Sequence, residues 1–213
     1  MKLNDYRIIP AEKPQQIVVL LHGVGADGKD LLDLGHRWQN LLPACVFVSP
    51  DAPHRYDMAP FGRQWFSLKD RTPQVMAADM ITNRPIVNDY IDKLLAEFSL
   101  PSNKLALVGF SQGTMVSLDV GPRREDGLAG ILGYSGSLLS HKSLHAEIRS
   151  RPPICLVSGL MDDIVSPDYS KKAQEMLQAE AIPCELHLQP NLGHSIDESG
   201  IRIGAAFLQR IFA

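Results

Sequence analysis

The sequence has few cysteines and no long apolar or basic run, and each shortage excludes a class of protein. Its three cysteines, Cys45, Cys155 and Cys184, are odd in number and far apart. They therefore suggest neither a disulfide framework nor a Cys-x-x-Cys metal site. We interpret them as small apolar core residues in a reducing compartment. No His, Asp and Glu cluster has the spacing of metal ligands, so the sequence indicates no metal and no other cofactor.

Membrane-spanning and nucleic-acid-binding proteins are disfavoured for similar reasons. No stretch approaches the ~18 apolar residues of a membrane span, and the N-terminus lacks the apolar core of a signal peptide. Lys and Arg number 21 against 24 Asp and Glu, without a basic run longer than a pair. This balance argues against a nucleic-acid partner bound through its phosphates. We expect a cytoplasmic protein.

Apolar residues are plentiful, at 45% of the 213 residues. At ~100–200 residues per domain, the length favours a single domain over 1–213. Short continuous apolar runs, typical of strands buried on both faces of a parallel sheet, occur at 17–21, 45–49, 105–110, 130–134 and 154–158. Apolar residues with helical spacing occur at 85–98, where Pro85 would lie in the first turn, at 167–181 and at 201–211. This alternation predicts an α/β fold with a mostly parallel sheet and helices on both faces.

The segment 50–73 is the least regular part of the chain. A loop of this length in a compact domain usually serves a site or is disordered, and the adjacent Trp65 and Phe66 favour a site. Two interpretations of this aromatic pair stay open, as plain core residues or as a wall of a substrate pocket.

The sequence Gly109-Phe110-Ser111-Gln112-Gly113 follows a strand-like run and precedes a helix-like one. This is the setting of a nucleophile elbow, in which glycines permit a strained turn that presents a serine hydroxyl above the sheet. The helix behind it offers free N–H groups to a developing oxyanion. The alternative is a glycine-rich turn that carries a bystander serine.

A second glycine-rich turn, Leu21-His22-Gly23-Val24-Gly25, directly follows the first apolar run. The N–H of Val24, paired with that of Gln112, could complete an oxyanion hole, while His22 would order the loop. A phosphate-binding loop is the competing idea, but neither Gly-x-Gly-x-x-Gly nor Gly-Lys-Ser/Thr is present.

A serine nucleophile needs a base, and the base needs an acid that fixes its tautomer. On an elbow of this type the order along the chain is Ser, acid, His. Downstream of Ser111 the order is met by the adjacent Asp162 and Asp163 and then by His194. Either carboxylate could instead serve a turn or a helix N-cap. We expect His187, in an alternating segment, to face outward from an edge strand.

On these residues the chain resembles the phospholipase/carboxylesterase family of small α/β-hydrolases, which includes acyl-protein thioesterases and bacterial carboxylesterases. The matching motifs, in order, are Leu21-His22-Gly23-Val24-Gly25, Ser49-Pro50-Asp51-Ala52-Pro53, Gln64-Trp65-Phe66, Gly109-Phe110-Ser111-Gln112-Gly113, Gly133-Tyr134-Ser135-Gly136, Gly159-x-x-Asp162 and Gly193-His194. They span nearly the whole chain, which makes the resemblance far more specific than the elbow alone.

The resemblance implies an α/β-hydrolase fold without a separate cap domain, and a triad of Ser111, Asp162 and His194. It implies Val24 and Gln112 as oxyanion donors. It further implies that Trp65 lies near the acyl site and that the chain forms a homodimer, although the sequence itself leaves the oligomeric state open.

The chain departs from the family pattern in three places. Thr114 replaces a second glycine after the elbow, Ser158 stands where a His is usual, and an extra Ser166 blurs the alignment enough to leave Asp163 open.

These features predict a serine hydrolase that cleaves carboxylic esters, as a carboxylesterase, thioesterase or lysophospholipase, through an acyl-enzyme. A small-molecule acyl ester or thioester is the expected substrate. Within enzymes the alternative is a peptidase or lactone hydrolase on the same scaffold. From another class, the alternative is a catalytically silent ligand-binding or interaction protein on a hydrolase fold.

Overall fold

A seven-stranded, mostly parallel sheet forms the centre of the computed structural model, which describes residues 3–213. The strands of the described chain are β1 (Asp5–Ile8), β2 (Gln16–Leu21), β3 (Cys45–Pro50), β4 (His54–Arg55), β5 (Arg63–Gln64), β6 (Leu105–Phe110), β7 (Gly130–Tyr134), β8 (Ile154–Gly159) and β9 (Cys184–Gln189). The order in the large sheet is β1-β3-β2-β6-β7-β8-β9. Within this sheet only β1 runs antiparallel to its neighbour, and β4 and β5 form a separate antiparallel pair. Each predicted apolar run lies within a strand, so the predicted sheet is confirmed.

Helices cover both faces of this sheet, which explains why its strands are apolar without alternation. The helices are α1 (Gly28–Trp38), α2 (Pro73–Phe98), α3 (Gln112–Val120), α4 (His141–Glu147), α5 (Pro167–Ala179) and α6 (Glu198–Phe212). On β2, Val19 packs in a cluster with α2 and α3, while Val18 packs on the other face with α1 and α6. The α/β-hydrolase architecture predicted from the sequence is confirmed.

The longest helix, α2, begins twelve residues before the expected start, so the prediction of Pro85 in a first turn is wrong. Pro73 occupies the first turn, and Pro85 lies inside the helix. An internal proline removes one helical hydrogen bond, but Met80 and Val87 on either side of it are each only 1% exposed against the sheet. Their burial offsets the lost bond. No helix in residues 3–213 is both long enough and apolar enough to span a membrane.

Candidate active site

Ser111 lies on the tight turn between β6 and α3. Its backbone has a positive φ of 53°, with ψ −113°. This conformation is strained for a residue with a side chain. The turn requires glycine on both sides. A Cβ at Gly113 would lie 1.8 Å from the Leu21 carbonyl oxygen, and one at Gly109 would lie 2.3 Å from the Thr114 nitrogen. Such strain between two close-packed glycines is typical of a nucleophile elbow.

Thr114, the β-branched residue that departs from the family pattern, is accommodated without crowding the elbow. It is fully buried, and its hydroxyl donates to the Tyr134 carbonyl at 2.8 Å. Its methyl group occupies space that two glycines leave open. A Cβ at Gly133 would lie 2.5 Å from the Thr114 Cγ2 atom, and one at Gly136 would lie 2.4 Å from it.

The structure brings Asp162, and not Asp163, into contact with His194. The Asp162 Oδ2 atom lies 2.8 Å from His194 Nδ1, whereas the Asp163 side chain points into solvent. The other oxygen, Oδ1, accepts the N–H groups of Val165 at 2.8 Å and Ile164 at 3.0 Å. Burial by itself would raise the pKa of Asp162, but these hydrogen bonds and the His194 contact outweigh it and lower the pKa below its usual value. The carboxylate is therefore ionised at neutral pH.

His194 lies beside the serine turn because the acid and histidine loops are packed together. Gly159 approaches the Leu192 carbonyl so closely that a Cβ would lie 2.1 Å from its oxygen, and the Met161 N–H donates to the same carbonyl at 2.9 Å. The imidazole stacks at a tilt on Phe110, with 4.8 Å between ring centroids. Since Phe110 directly precedes Ser111, this contact holds the histidine next to the elbow.

The loop after β2 is ordered by His22, as predicted. Its Nδ1 lies 2.6 Å from the Gly23 carbonyl oxygen, and its Nε2 accepts the Ala52 N–H at 3.0 Å. Burial lowers the pKa of His22, so the ring is neutral with its proton on Nδ1.

Of the two predicted oxyanion donors, Gln112 directly follows Ser111, and Val24 directly follows a glycine that lies close to Ser111. A Cβ built on Gly23, next to Val24, would lie 3.4 Å from Ser111 Cβ. Among residues 3–213 the Val24 N–H has no hydrogen-bond acceptor. Gln112 is the first residue of α3, so its N–H has no partner in the helix. Two backbone N–H groups are thus free, one in the loop after β2 and one at the start of α3.

Trp65 and Phe66 are core residues in this structure, with exposures of 0% and 1%. The Trp65 indole N–H donates to the His22 carbonyl at 2.9 Å, and the Gln112 carboxamide binds the backbone of both aromatic residues. Sequence reasoning missed these polar contacts, because they join residues more than 40 positions apart. A direct contact of either ring with substrate stays a prediction.

Large apolar side chains are exposed on the acid loop and in the segment 50–73. Met161 is 66% exposed and Ile164 is 69% exposed on the acid loop, and Phe61 is 75% exposed in the segment 50–73. Phe61 also borders an open, mainly polar depression of about 370 Å³ next to the Val24 loop. Neither Ser111 nor His194 lines this depression.

A separate group of potential metal ligands lies toward the other end of the sheet. Cys155, Glu185 and His187 place one ligand atom each within 4.8 Å of one another, a grouping that sequence spacing did not indicate. Glu185 is paired with Arg210 at 2.6 Å, and burial raises the pKa of the Cys155 thiol. His187 lies on edge strand β9 with its side chain 41% exposed, as expected. This group is not part of the candidate active site.

A mostly parallel sheet with a strained serine after one strand and a paired acid and histidine after later strands defines an α/β-hydrolase. The family model described as Phospholipase/Carboxylesterase matches residues 4–212. The chain belongs to that family and is a hydrolase.

Several relatives match almost the whole chain. It is 27% identical to esterase YpfH of Escherichia coli over 211 residues, which is 98% of this chain and 89% of the relative. It is 26% identical to an acyl-protein thioesterase 1 of Emericella nidulans over 226 residues, covering 96% of this chain and 94% of the relative. The crystal structure of esterase PE8 superposes with a TM-score of 0.96 at 36% identity, covering 99% of this chain and 100% of that structure.

Proposed function

We propose that the protein is a serine hydrolase that cleaves carboxylic esters or thioesters with Ser111, His194 and Asp162 as its triad, within one domain. The observation that carries this proposal is the 2.8 Å contact between His194 Nδ1 and Asp162 Oδ2 beside the strained Ser111 turn. The names of the relatives, two esterases and an acyl-protein thioesterase, support the same substrate class. Membership of a hydrolase family argues against a catalytically silent binding protein.

The proposed reaction begins with proton transfer. Asp162 holds the proton of His194 on Nδ1, which leaves Nε2 free to accept the Ser111 proton as the hydroxyl attacks the acyl carbonyl. The N–H groups of Val24 and Gln112 stabilise the resulting oxyanion. His194 then protonates the leaving alcohol or thiol, and water releases the carboxylic acid from the acyl-enzyme by the same steps.

Met161 and Ile164, which flank the proposed acid Asp162 in the sequence, expose apolar side chains. They support a substrate with an acyl chain that these side chains would contact. An apolar surface discriminates between acyl chains by about 1–3 kcal/mol for each methylene group, so chain length is the property to measure. The substrate is a small-molecule acyl ester or thioester in this proposal, and no cofactor takes part.

The test is hydrolysis of p-nitrophenyl esters from acetate to dodecanoate, together with an acyl-coenzyme A thioester followed by release of its thiol. Ser111→Ala is expected to lose nearly all activity. Ser135→Ala is the matched control, since this buried hydroxyl has no hydrogen-bond partner in residues 3–213, and it should keep wild-type rates. Activity that survives in Ser111→Ala, or an inactive wild-type protein across all substrates, would refute the proposal.

The proposal also covers the cellular compartment and the oligomeric state of the protein. Cys45, Cys155 and Cys184 are buried and unpaired, which supports a reducing compartment such as the cytoplasm. We propose a homodimer by resemblance to the family. Sedimentation velocity of the purified chain tests this, and a monomer at micromolar concentration would contradict it.

A further inference from the structure

The two N–H groups proposed as oxyanion donors belong to separate segments of the chain. Val24 lies in the loop after β2, and Gln112 begins α3. Such donors act only at about 2.7–3.1 Å from the oxyanion. The relative position of the two segments must therefore be fixed to a fraction of an ångström.

A chain of buried hydrogen bonds through Trp65 connects the two segments. The Trp65 indole N–H donates to the His22 carbonyl at 2.9 Å, just before Val24. The Trp65 backbone N–H donates to Gln112 Oε1 at 3.0 Å, and Gln112 Nε2 donates to the Phe66 carbonyl at 2.8 Å. The Gln112 carboxamide thus holds two successive backbone groups of the aromatic segment.

The environment of this connection makes it rigid. His22 and Trp65 are fully buried and Gln112 is 2% exposed, so water does not compete for these hydrogen bonds. Both ring nitrogens of His22 are engaged, which fixes the loop from its other side. Loss of the indole N–H would leave the buried His22 carbonyl unpaired, and the loop would move to satisfy it.

We propose that Trp65 and the Gln112 carboxamide are positioning residues that hold the Val24 and Gln112 N–H groups at the spacing of a tetrahedral intermediate. This proposal rests on the proposed function. It assigns Trp65 an effect on kcat, whereas a substrate-pocket wall would act on KM. A misplacement of 1 Å costs about 10²-fold in rate, so losing the connection should lower kcat by about 10- to 100-fold.

The chain offers a matched control for Trp65→Phe. Trp38 is also fully buried, and its indole N–H also donates to a backbone carbonyl, that of Ile201 at 3.1 Å. Trp38→Phe therefore removes the same kind of hydrogen bond away from the elbow. Both variants should lose similar stability in urea titrations, but only Trp65→Phe should lose kcat, with KM little changed.

A second pair of variants provides the same test if Trp65→Phe does not fold. Gln112→Ala removes the carboxamide but keeps the backbone N–H donor, and it should lower kcat in the same way. Gln64→Ala is its control, because Gln64 is a buried glutamine (5% exposed) that accepts the Asp57 N–H at 3.2 Å instead.

Binding of a trifluoromethyl ketone separates positioning from a general loss of structure. This inhibitor forms a tetrahedral oxyanion on the serine, so its inhibition constant should rise by the same factor as kcat/KM falls. A non-reacting alcohol analogue should bind unchanged. Equal kcat in Trp65→Phe and Trp38→Phe, or a change in KM alone, would overturn the positioning role. Activity in Ser111→Ala would instead overturn the proposed function.

Discussion

Replacing Asp162 with asparagine exchanges one oxygen for an NH₂ group and should inactivate the enzyme without unfolding it. The Asn Oδ1 atom would keep accepting the N–H groups of Val165 and Ile164, so the NH₂ group must face His194 Nδ1. Two donors cannot meet at the 2.8 Å of the native contact. The imidazole proton would therefore move to Nε2, leaving that atom unable to accept the Ser111 proton.

The magnitude follows from this change of tautomer. The same substitution in a serine protease triad lowers kcat by about 10⁴-fold, which corresponds to a barrier increase of about 5 kcal/mol. We expect a loss of about 10³- to 10⁴-fold here, since Asp162 is also buried and bound to the Nδ1 atom of its histidine.

The assay measures kcat for p-nitrophenyl butyrate at about pH 7.5, where carboxylates are ionised. Urea titrations establish that each variant is folded. Asp163→Asn is the matched control, because Asp163 is the exposed neighbour of the buried acid, and it should keep wild-type kcat. A folded Asp162→Asn enzyme within tenfold of wild type would refute the reasoning, as would a large loss in Asp163→Asn.

Three further predictions concern stability. Asp119 is fully buried and paired with two arginines, so Asp119→Ala should destabilise the fold by about 3–5 kcal/mol in urea; a loss below 1 kcal/mol would contradict this. Gly136→Ala should destabilise the fold by about 1–3 kcal/mol, because the new Cβ would clash with Thr114. Adding Thr114→Gly should restore part of this stability. If the losses of the two single variants simply add in the double variant, the steric explanation is wrong. Folding lowers the pKa of Asp162 from the ordinary value of 3.8. The ionised carboxylate should therefore contribute fully to the unfolding free energy above pH 3.8, and this contribution should decline as the pH falls through the pKa of the folded state. The difference between wild type and Asp162→Asn, measured from pH 7 to pH 3, should shrink accordingly, and a difference that grows would contradict it.

The strands were predictable because burial on both faces leaves continuous apolar runs. The run at 105–110 coincides with β6, and the same holds for 130–134 and β7. The edge strand β1 escaped prediction because all four of its residues are only half-buried. The first half of α2 was missed because a proline at position 85 usually marks a helix start, while tertiary packing of Met80 sustains the helix before it.

The candidate site was predictable where a motif fixes local geometry, as at Ser111 and His194. The distinction between Asp162 and Asp163 depends on which side chain turns inward, and residues adjacent in a loop carry no periodic signal for that. The link from Gln112 to Trp65 depends on tertiary contacts between distant segments, which no local pattern encodes. The same is true of the space that Gly136 leaves for Thr114.

Covalent labelling with a fluorophosphonate, followed by intact-mass measurement and peptide mapping, tests the central claim most directly. The account predicts one label per chain, on Ser111 within the peptide that contains Gly109 and Gly113, and no label in Ser111→Ala. Slower labelling in Asp162→Asn, with the same site, is also expected. A label on another residue, or equal labelling of Ser111→Ala, would contradict the assignment of Ser111 as the nucleophile.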